Sequence, residues 1–334
     1  SELDQRSTDR IRITTRIELG LFTLILIVLL LEGLYIFRPS IRALEDALRT
    51  RSEFMSRMSH EIRNPMNAII GMTDVLFETP LNDLQQRYLR VLSRSSQTLL
   101  DLLNSLLDFS SLESGKTKIE AIEFDLHTVL EKVVDLSAVR AHEKNLDLSL
   151  DIDLKTPLAV TGDPVRLQQV LNNLLSNAIK FTSVGEVRLT VKPVSSPSGA
   201  LSIHFAVSDT GIGIKQEALG KVFESFVQAD TSTRRQYGGS GLGLTISREL
   251  VALMGGDLKV SSEFGVGSQF DFSLPLVPEA QATQTLGERV KLFDLRGHTA
   301  FFVGPMTPSM QQASELIQAC GGVTEARLQA VDLA

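Results

Sequence analysis

Ser59-His60-Glu61-Ile62-Arg63-Asn64-Pro65 sits at the end of an apolar ladder, and the spacing of that ladder decides the fold. Counting back from Ile62, apolar side chains recur at Met58, Met55, Leu48, Leu44 and Ile41 in steps of three and four. Only Arg51 breaks the run. This is the a/d seam of a heptad helix that packs along another helix. His60 then stands at an f position, facing away from the seam. The helix is expected to run to about Glu78, with Pro80 helping to end it. A second helix opens near Asn82, where Gln85 completes a capping-box spacing. It carries Leu84, Tyr88, Val91, Leu99, Leu102, Leu106 and Phe109 and stops near Gly115. Two long amphipathic helices on a short loop make a hairpin, which cannot close a core alone. Two copies pairing into a four-helix bundle is the natural solution.

Upstream, Leu19–Leu31 contains no charge, and after Glu32 the apolar run resumes as Gly33-Leu34-Tyr35-Ile36-Phe37. As a helix this stretch is about 28 Å long, close to the thickness of a bilayer's hydrocarbon layer. Arg16 and Arg38 bracket it, and it lacks the short core and cleavage site of a signal peptide. A transmembrane helix is the expectation, with a buried core helix as the alternative. Arginines balance on the two sides, so charge does not set the orientation. The span also explains the composition. The 334 residues carry 33 Lys+Arg against 40 Asp+Glu, a net charge of −7, yet the mean hydropathy is slightly positive at +0.09. With one cysteine, Cys320, and no Trp, an intrachain disulfide framework or a cysteine-based zinc cluster is excluded. The acidic balance argues against a direct nucleic-acid binder.

Downstream of Ile119 the texture becomes mixed α/β. Phe124–Glu143 and Val165–Phe181 read as helices, and Leu146–Ile152, Glu186–Val191, Leu201–Ser208, Asp257–Ser261 and Gly267–Leu274 as strands. Ser195-Ser196-Pro197-Ser198-Gly199 is a turn-rich connector. A helix containing Arg248 ends at Gly255-Gly256. Residues from about Pro278 to Arg289 read as a polar linker. A strand over Thr299–Val303 and a helix over Ser309–Ala319 follow, too little for a complete domain. Acidity concentrates in residues 119–280, with 20 acidic against 14 basic side chains.

Three groups of residues carry chemistry. A lone exposed histidine is normally just solvated, but His60 has Glu61 beside it to hold the imidazole tautomer and accept a proton. Asn64 lies one turn on, and Pro65 removes a helical hydrogen bond where the histidine sits. Asn173 and Asn177 are i, i+4 on one helix face, with Lys180 a turn further. Amide oxygens and an ammonium suit a Mg²⁺–phosphate complex, although a plain polar helix face has the same pattern. Asp209-Thr210-Gly211-Ile212-Gly213-Ile214 follows a strand, and Gly238-Gly239-Ser240-Gly241-Leu242-Gly243-Leu244 precedes a helix. Neither loop fits a dinucleotide fingerprint or a Walker loop. Both let backbone amides approach an anion, and Asp209 at a strand end suits an amino group such as that of adenine.

In this order the motifs resemble those of bacterial membrane sensor histidine kinases of the hybrid type, over about Glu53 to Leu276. Ser59–Pro65 looks like the family's H box and Leu171–Thr182 its N box. Asp209–Ile214 looks like the G1 box, Phe223-Glu224-Ser225-Phe226 the F box, and Gly239–Gly243 the G2 box. The resemblance implies a multidomain chain. Residues 1–16 form an N-terminal tail, 17–37 a transmembrane helix and 38–53 a coiled-coil linker. Residues 54–118 form an α-helical hairpin giving a dimeric four-helix bundle for dimerisation and histidine phosphotransfer. Residues 119–280 form an α/β two-layer ATP-binding sandwich, 281–293 a linker, and 294–334 a partial, degenerate α/β receiver-like tail. A receiver would carry an acidic pair after its first strand, and Gly304 and Pro305 stand there instead.

The resemblance also implies roles. His60 accepts the γ-phosphoryl group of ATP, Glu61 polarises the ring, and Asn64 assists transfer or its reversal by hydrolysis. Asn177 ligates Mg²⁺, Asn173 supports that site and Lys180 contacts phosphate. Asp209 reads the adenine amino group, and Phe181 packs near the base. Gly211 and Gly213 of the first loop, and Gly239, Gly241, Leu242 and Gly243 of the second, line the nucleotide. Gln228–Tyr237 would be a mobile lid hinged between Phe226 and Gly239, with Arg234 and Arg235 as weaker phosphate contacts. The implied protein is a homodimer in the inner membrane with its kinase part in the cytoplasm, passing phosphoryl groups to an aspartate of a receiver domain. The other reading is a catalytically quiet partner that heterodimerises with another kinase and restrains it.

Overall fold

The structure, a computed structural model, describes residues 18–115, 117–195, 201–225, 241–278, 285–290, 295–296, 299–303 and 308–327. The chain divides into two compact units, Ser1–Gln97 and Thr98–Ala334.

The first unit is helical. Helix α1, over 18–32, passes through a π-helical turn at Gly33–Phe37 straight into α2, Arg38–Phe77. The π-helical turn ends two residues before Pro39. The 18 residues Glu18–Tyr35 have a mean hydropathy of 2.0 and lie entirely on the surface, so this helix is long and apolar enough to cross a bilayer. Pro65 lies inside α2, which continues beyond it. Along α2, Ser59, Met66 and Thr73 are buried at seven-residue intervals. The a/d ladder instead continues on the outside, through Ile62, Ile69, Met72 and Leu76, all exposed. One chain therefore leaves its heptad seam open. Helix α3, Asp83–Glu113, begins with the reciprocal bonds its sequence implies. The Asn82 amide donates to Gln85 Oε1 at 3.0 Å, and the Gln85 amide donates to Asn82 Oδ1 at 2.9 Å.

The second unit starts within α3, whose Leu106, Phe109 and Leu112 pack against an α/β core. Gln169 Nε2 donates to Asp108 Oδ2 at 2.9 Å, and burial pushes the Asp108 carboxyl up despite that bond. Strands β1 (Ile122–Asp125), β2 (Asp147–Ile152), β3 (Ala159–Gly162), β4 (Glu186–Ser195), β5 (Leu201–Asp209), β6 (Lys259–Glu263), β7 (Gly267–Leu274) and β8 (Val277–Pro278) make two sheets. The larger runs β2-β4-β5-β7-β6, the smaller β1-β3-β8. Only β2 and β4 of the larger sheet run parallel. Helices α4 (Leu126–Glu143), α5 (Pro164–Phe181) and α7 (Gly243–Leu253) bury apolar faces in the same core as the large sheet, and a short α6 (Gln216–Leu219) precedes α7. Leu130, Val133, Leu167, Leu171 and Leu175 meet Val187, Leu189, Phe205 and Phe272 there, and the last two rings stack at 5.1 Å. A helix face at 3.6-residue spacing against strands of alternating burial gives this two-layer sandwich.

Two local features differ from expectation. Phe124 and Asp125 end a strand rather than begin a helix, because the Asp125 carboxylate caps α4 by accepting from the Thr128 amide at 3.0 Å. The stretch expected to be a linker is ordered in part. Thr285 and Glu288 form a capping box over α8, Leu286–Val290, and Arg289 pairs with Asp125 at 3.2 Å. The Leu286 and Gly287 amides donate to the carbonyls of Thr156 and Leu154 at 3.0 and 2.8 Å. Leu286 is buried beside Leu126, Leu130 and Leu158. Leu286→Ala is expected to cost about 2 kcal/mol, the low end for a buried leucine because the turn is peripheral. Urea unfolding measures the loss, and limited proteolysis should then cut near residue 285 first.

Beyond it, β9 (Thr299–Val303), α9 (Pro308–Ala319) and β10 (Val323–Arg327) form a β-α-β unit with a parallel strand pair. The strand and helix stand where the sequence places them, and β10 is an addition to it. Helix α9 lies against β2, an edge strand of the large sheet. Gly304 and Pro305 lie outside the described residues.

Candidate functional site

His60, Glu61 and Asn64 all lie on α2, with Glu61 and Asn64 exposed. They share a helix that continues past Pro65, so Asn64 follows His60 by one full turn.

The remaining residues are assembled by the second unit. Asp163 caps α5 by accepting from the amides of Val165 and Arg166 at 3.1 and 3.0 Å, and Pro164 occupies the first helical position. The helix buries Leu167, Val170, Leu171, Leu174, Leu175 and Ala178. Its other face, carrying Asn173, Asn177 and Lys180, is only half-buried. The side chain of Asn173 donates to Ser247 Oγ on α7 at 2.8 Å, and its Oδ1 occupies the space a Cβ on Gly243 would need. The second glycine loop thus touches the asparagine helix, and a side chain at position 243 would displace the Asn173 amide. Leu242 beside it is buried, and Gly241 has a left-handed φ of +69°.

The first glycine loop meets the same helix at its other end. The Ile212 amide donates to the carbonyl of Phe181 at 3.3 Å. A Cβ on Gly211 would lie 2.6 Å from that carbonyl oxygen. Asp209 ends β5, and its Oδ1 accepts from the Gly211 amide at 2.8 Å. Burial nevertheless holds the Asp209 carboxyl above its ordinary range, against the lowering effect of amide donation from Gly211 and Ser268. Gly213 has φ +65°, and a Cβ there would collide with the backbone of Glu263 at the β6–β7 turn. Ser262 Oγ accepts from the Ile214 amide at 2.7 Å, pinning the loop to β6.

Lys180 reaches over the Phe181 ring, 4.9 Å from its centre, and burial lowers its pKa. The half-buried side chain of Asn177 makes no hydrogen bond to another described residue. The described residues contain no cluster of three His, Cys, Asp or Glu able to hold a metal. A divalent ion here would take one amide oxygen and fill its shell from phosphate and water, as Mg²⁺ does. Phe226, Gly239 and the stretch expected to be a lid, Gln228–Tyr237 with Arg234 and Arg235, lie outside the described residues.

Asn173, Asn177, Lys180, Phe181, Asp209, Gly211, Gly213, Gly241, Leu242 and Gly243 are thereby gathered around α5, although the sequence separates them into three groups. Ser247 and Ser262 were not legible in advance. Each acts through a contact with a distant residue, and neither has a local pattern of its own.

Two family models match the chain. Residues 50–115 match the His Kinase A (phospho-acceptor) domain. Residues 162–278 match the histidine kinase-, DNA gyrase B- and HSP90-like ATPase. The Vibrio cholerae protein Autoinducer 2 sensor kinase/phosphatase LuxQ is 43% identical over 248 residues, which are 73% of this chain and 29% of LuxQ. The Escherichia coli signal transduction histidine-protein kinase BarA is 42% identical over 253 residues, 74% of this chain and 28% of BarA. The crystal structure of full-length ShkA in complex with AMPPNP superposes with a TM-score of 0.64 at 33% identity, over 84% of this chain and 56% of that one. The chain spans less than a third of the length of these curated relatives. With a phospho-acceptor hairpin followed by an ATPase domain of matching type, the chain belongs to the histidine kinases.

Proposed function

We propose that this chain is a sensor histidine kinase that phosphorylates itself on His60 with ATP and passes the phosphoryl group to an aspartate of a receiver domain. The observation that carries the reading is the convergence of both glycine loops on α5, one at each end of its polar face. On this reading Asn177 and Lys180 serve the triphosphate and Asp209 the adenine. The acidic ATPase domain repels a polyanion overall, so binding falls to local groups: Lys180, the glycine amides and a Mg²⁺ held through Asn177. The metal supplies charge neutralisation of the phosphates when bound.

In the transfer step one ring nitrogen of His60 attacks the γ-phosphorus. The bond from phosphorus to the bridging oxygen of ADP breaks, and ADP leaves with the electron pair. Glu61 takes the proton from the other ring nitrogen, so the phosphorylated imidazole ends neutral. Such transfers need placement and charge stabilisation more than covalent help. The open heptad seam of Ile62, Ile69, Met72 and Leu76 is closed by a second copy, giving a four-helix bundle dimer. The apolar helix α1 anchors the dimer in the inner membrane, with the kinase part in the cytoplasm. The tail over 294–334 resembles the start of a receiver.

The deciding experiment is incubation of the purified chain with γ-labelled ATP and Mg²⁺, then with a panel of receiver domains. Acid-labile label that moves to a receiver is expected. No label on the chain would instead favour a quiet regulatory partner.

Asp209 gives a pH-dependent check. Its raised folded-state pKa means the neutral carboxyl favours folding: that stability is present at low pH and is lost as pH rises through the raised value. Nucleotide binding runs the other way, because only the carboxylate accepts well from adenine. Asp209→Asn should therefore raise the thermal midpoint of the nucleotide-free chain at pH 7 while weakening ATP binding, about ten-fold or more. Scanning calorimetry and nucleotide titration read the two effects separately.

A further inference from the structure

Helix α5 carries the polar face of the site, so what holds its end matters. A helix leaves its last four carbonyls without partners inside the helix. In α5 every one of them has a named donor. Ala178 O accepts from the Thr182 amide at 3.1 Å and from Thr182 Oγ1 at 2.7 Å. Phe181 O accepts from the Ile212 amide of the first glycine loop. The other two, Ile179 O and Lys180 O, accept from a single ammonium, Lys144 Nζ, at 2.7 and 3.0 Å. The same ammonium donates to Thr182 O at 3.3 Å. Lys144 thus spends all three of its donors on one helix end.

Its placement has a local cause. Lys144 is the residue after α4, and the chain there turns sharply into β2. The Leu146 amide donates to Ala141 O and the Asn145 amide to His142 O, both at 3.0 Å, with Asn145 at φ +55°. This left-handed closure fixes the direction in which the lysine leaves the helix. A cation at that point also opposes the negative end of the α5 dipole. Close by, Arg140 reaches Ser176 Oγ at 3.5 Å, a second tie between the two helices.

We propose that Lys144 is a positioning residue of the nucleotide site: by capping α5 it holds Asn177, Lys180 and Phe181 in register with the first glycine loop. The role rests on the ATP reading above and adds to it a residue that does not touch the nucleotide. Without the ammonium, the carbonyls of Ile179, Lys180 and Thr182 lose their donor together. The last turn of α5 then frays, the Phe181–Ile212 bond loosens, and the phosphate and adenine groups move apart.

The test compares the full chain in detergent micelles with Lys144→Met and Lys144→Arg. Rates of phosphorylation of His60 are followed against ATP concentration, and amide exchange of Thr182 and Ile212 is followed without nucleotide. In Lys144→Met both amides should exchange faster and the apparent KM for Mg–ATP should rise about ten-fold, with the saturated rate within about two-fold of wild type. Lys144→Arg keeps charge and donors and should recover most of the loss. An unchanged KM in Lys144→Met overturns the proposal, including where its melting midpoint drops, since that marks a stability role alone. An arginine variant as poor as the methionine one also overturns it. If Lys144→Met does not fold, Lys144→Gln takes its place, and failure of both to fold counts against the proposal in the same way. A wild-type chain that neither binds nor uses ATP sinks the underlying ATP reading, a result the variants cannot mimic.

Discussion

His60→Gln is expected to abolish acid-labile labelling from ATP, a fall of at least about a thousand-fold, while ATP binding stays at the wild-type level. The substitution keeps a polar side chain on the same helix but removes the nucleophile. An imidazole nitrogen offers an in-plane lone pair to phosphorus, whereas an amide nitrogen has delocalised its own into the carbonyl. The separation of effects follows from the division of the chain. His60 lies on α2 in the first unit, and the residues gathered around α5 lie in the second. Removing the acceptor should leave α5, both glycine loops and the affinity for Mg–ATP untouched. Filter binding of labelled protein and titration with a fluorescent ATP analogue give the two numbers. Residual acid-labile label on the variant would move the acceptor elsewhere. Lost nucleotide binding would mean that His60 is part of the ATP site rather than its target.

Asn177→Ala should be the second largest loss, about a hundred-fold in labelling, with the fold intact. Alanine is a better helix former than asparagine, and the Asn177 side chain makes no hydrogen bond to another described residue whose loss would weaken the core. On the proposed reading, what disappears is the amide oxygen that would hold Mg²⁺ at the phosphates. The deficit should therefore depend on the metal. Raising Mg²⁺ should recover part of the rate in Asn177→Ala, and binding of ATP in the presence of a chelator should be the same in variant and wild type. Equal loss of binding with and without Mg²⁺ would assign Asn177 to the nucleotide itself and leave the metal without its protein ligand. A variant with a lowered unfolding midpoint would instead give Asn177 a part in holding α5.

The amount legible from the sequence differed between elements for physical reasons. The capping box of Asn82 and Gln85 is a contact across three residues, so spacing alone places it, and both hydrogen bonds are present. Helix α5 was readable to within one residue because seven of its side chains alternate into the core at helical spacing. The small sheet β1-β3-β8 was not. Its strands have two to four residues, too short for a period to show, and their pairing brings Phe124 to Val160 and Thr161 to Val277. The docked turn Leu286–Val290 was also hidden, since its surroundings are polar and its anchors, Leu126, Asp125 and the carbonyls of Leu154 and Thr156, lie over a hundred residues earlier.

The seam shows the same boundary from the other side. Its period was plain from Ile41 to Ile62, and the exposed Ile69, Met72 and Leu76 extend it. A single sequence states that such a stripe needs a partner, but not which stripe closes within the chain. The inward stripe is Ser59, Met66 and Thr73, two of them polar, which no hydrophobic count would have selected.

What the sequence by itself determined was therefore local or periodic: the helical hairpin with His60, Glu61 and Asn64 on one helix, the apolar helix, and residue types suited to phosphate and adenine. These depend on contacts within a turn or two, where spacing is geometry. What only the tertiary structure decided was how separate motifs become one site. Asn173 meets Gly243 because α5 and α7 pack side by side, Gly211 meets Phe181 because β5 ends beside the end of α5, and Lys144 reaches that end because α4 stops with a left-handed turn. Each contact joins residues 30 to 75 positions apart, roughly, and over such distances the chain direction is set by core packing rather than by neighbours in sequence.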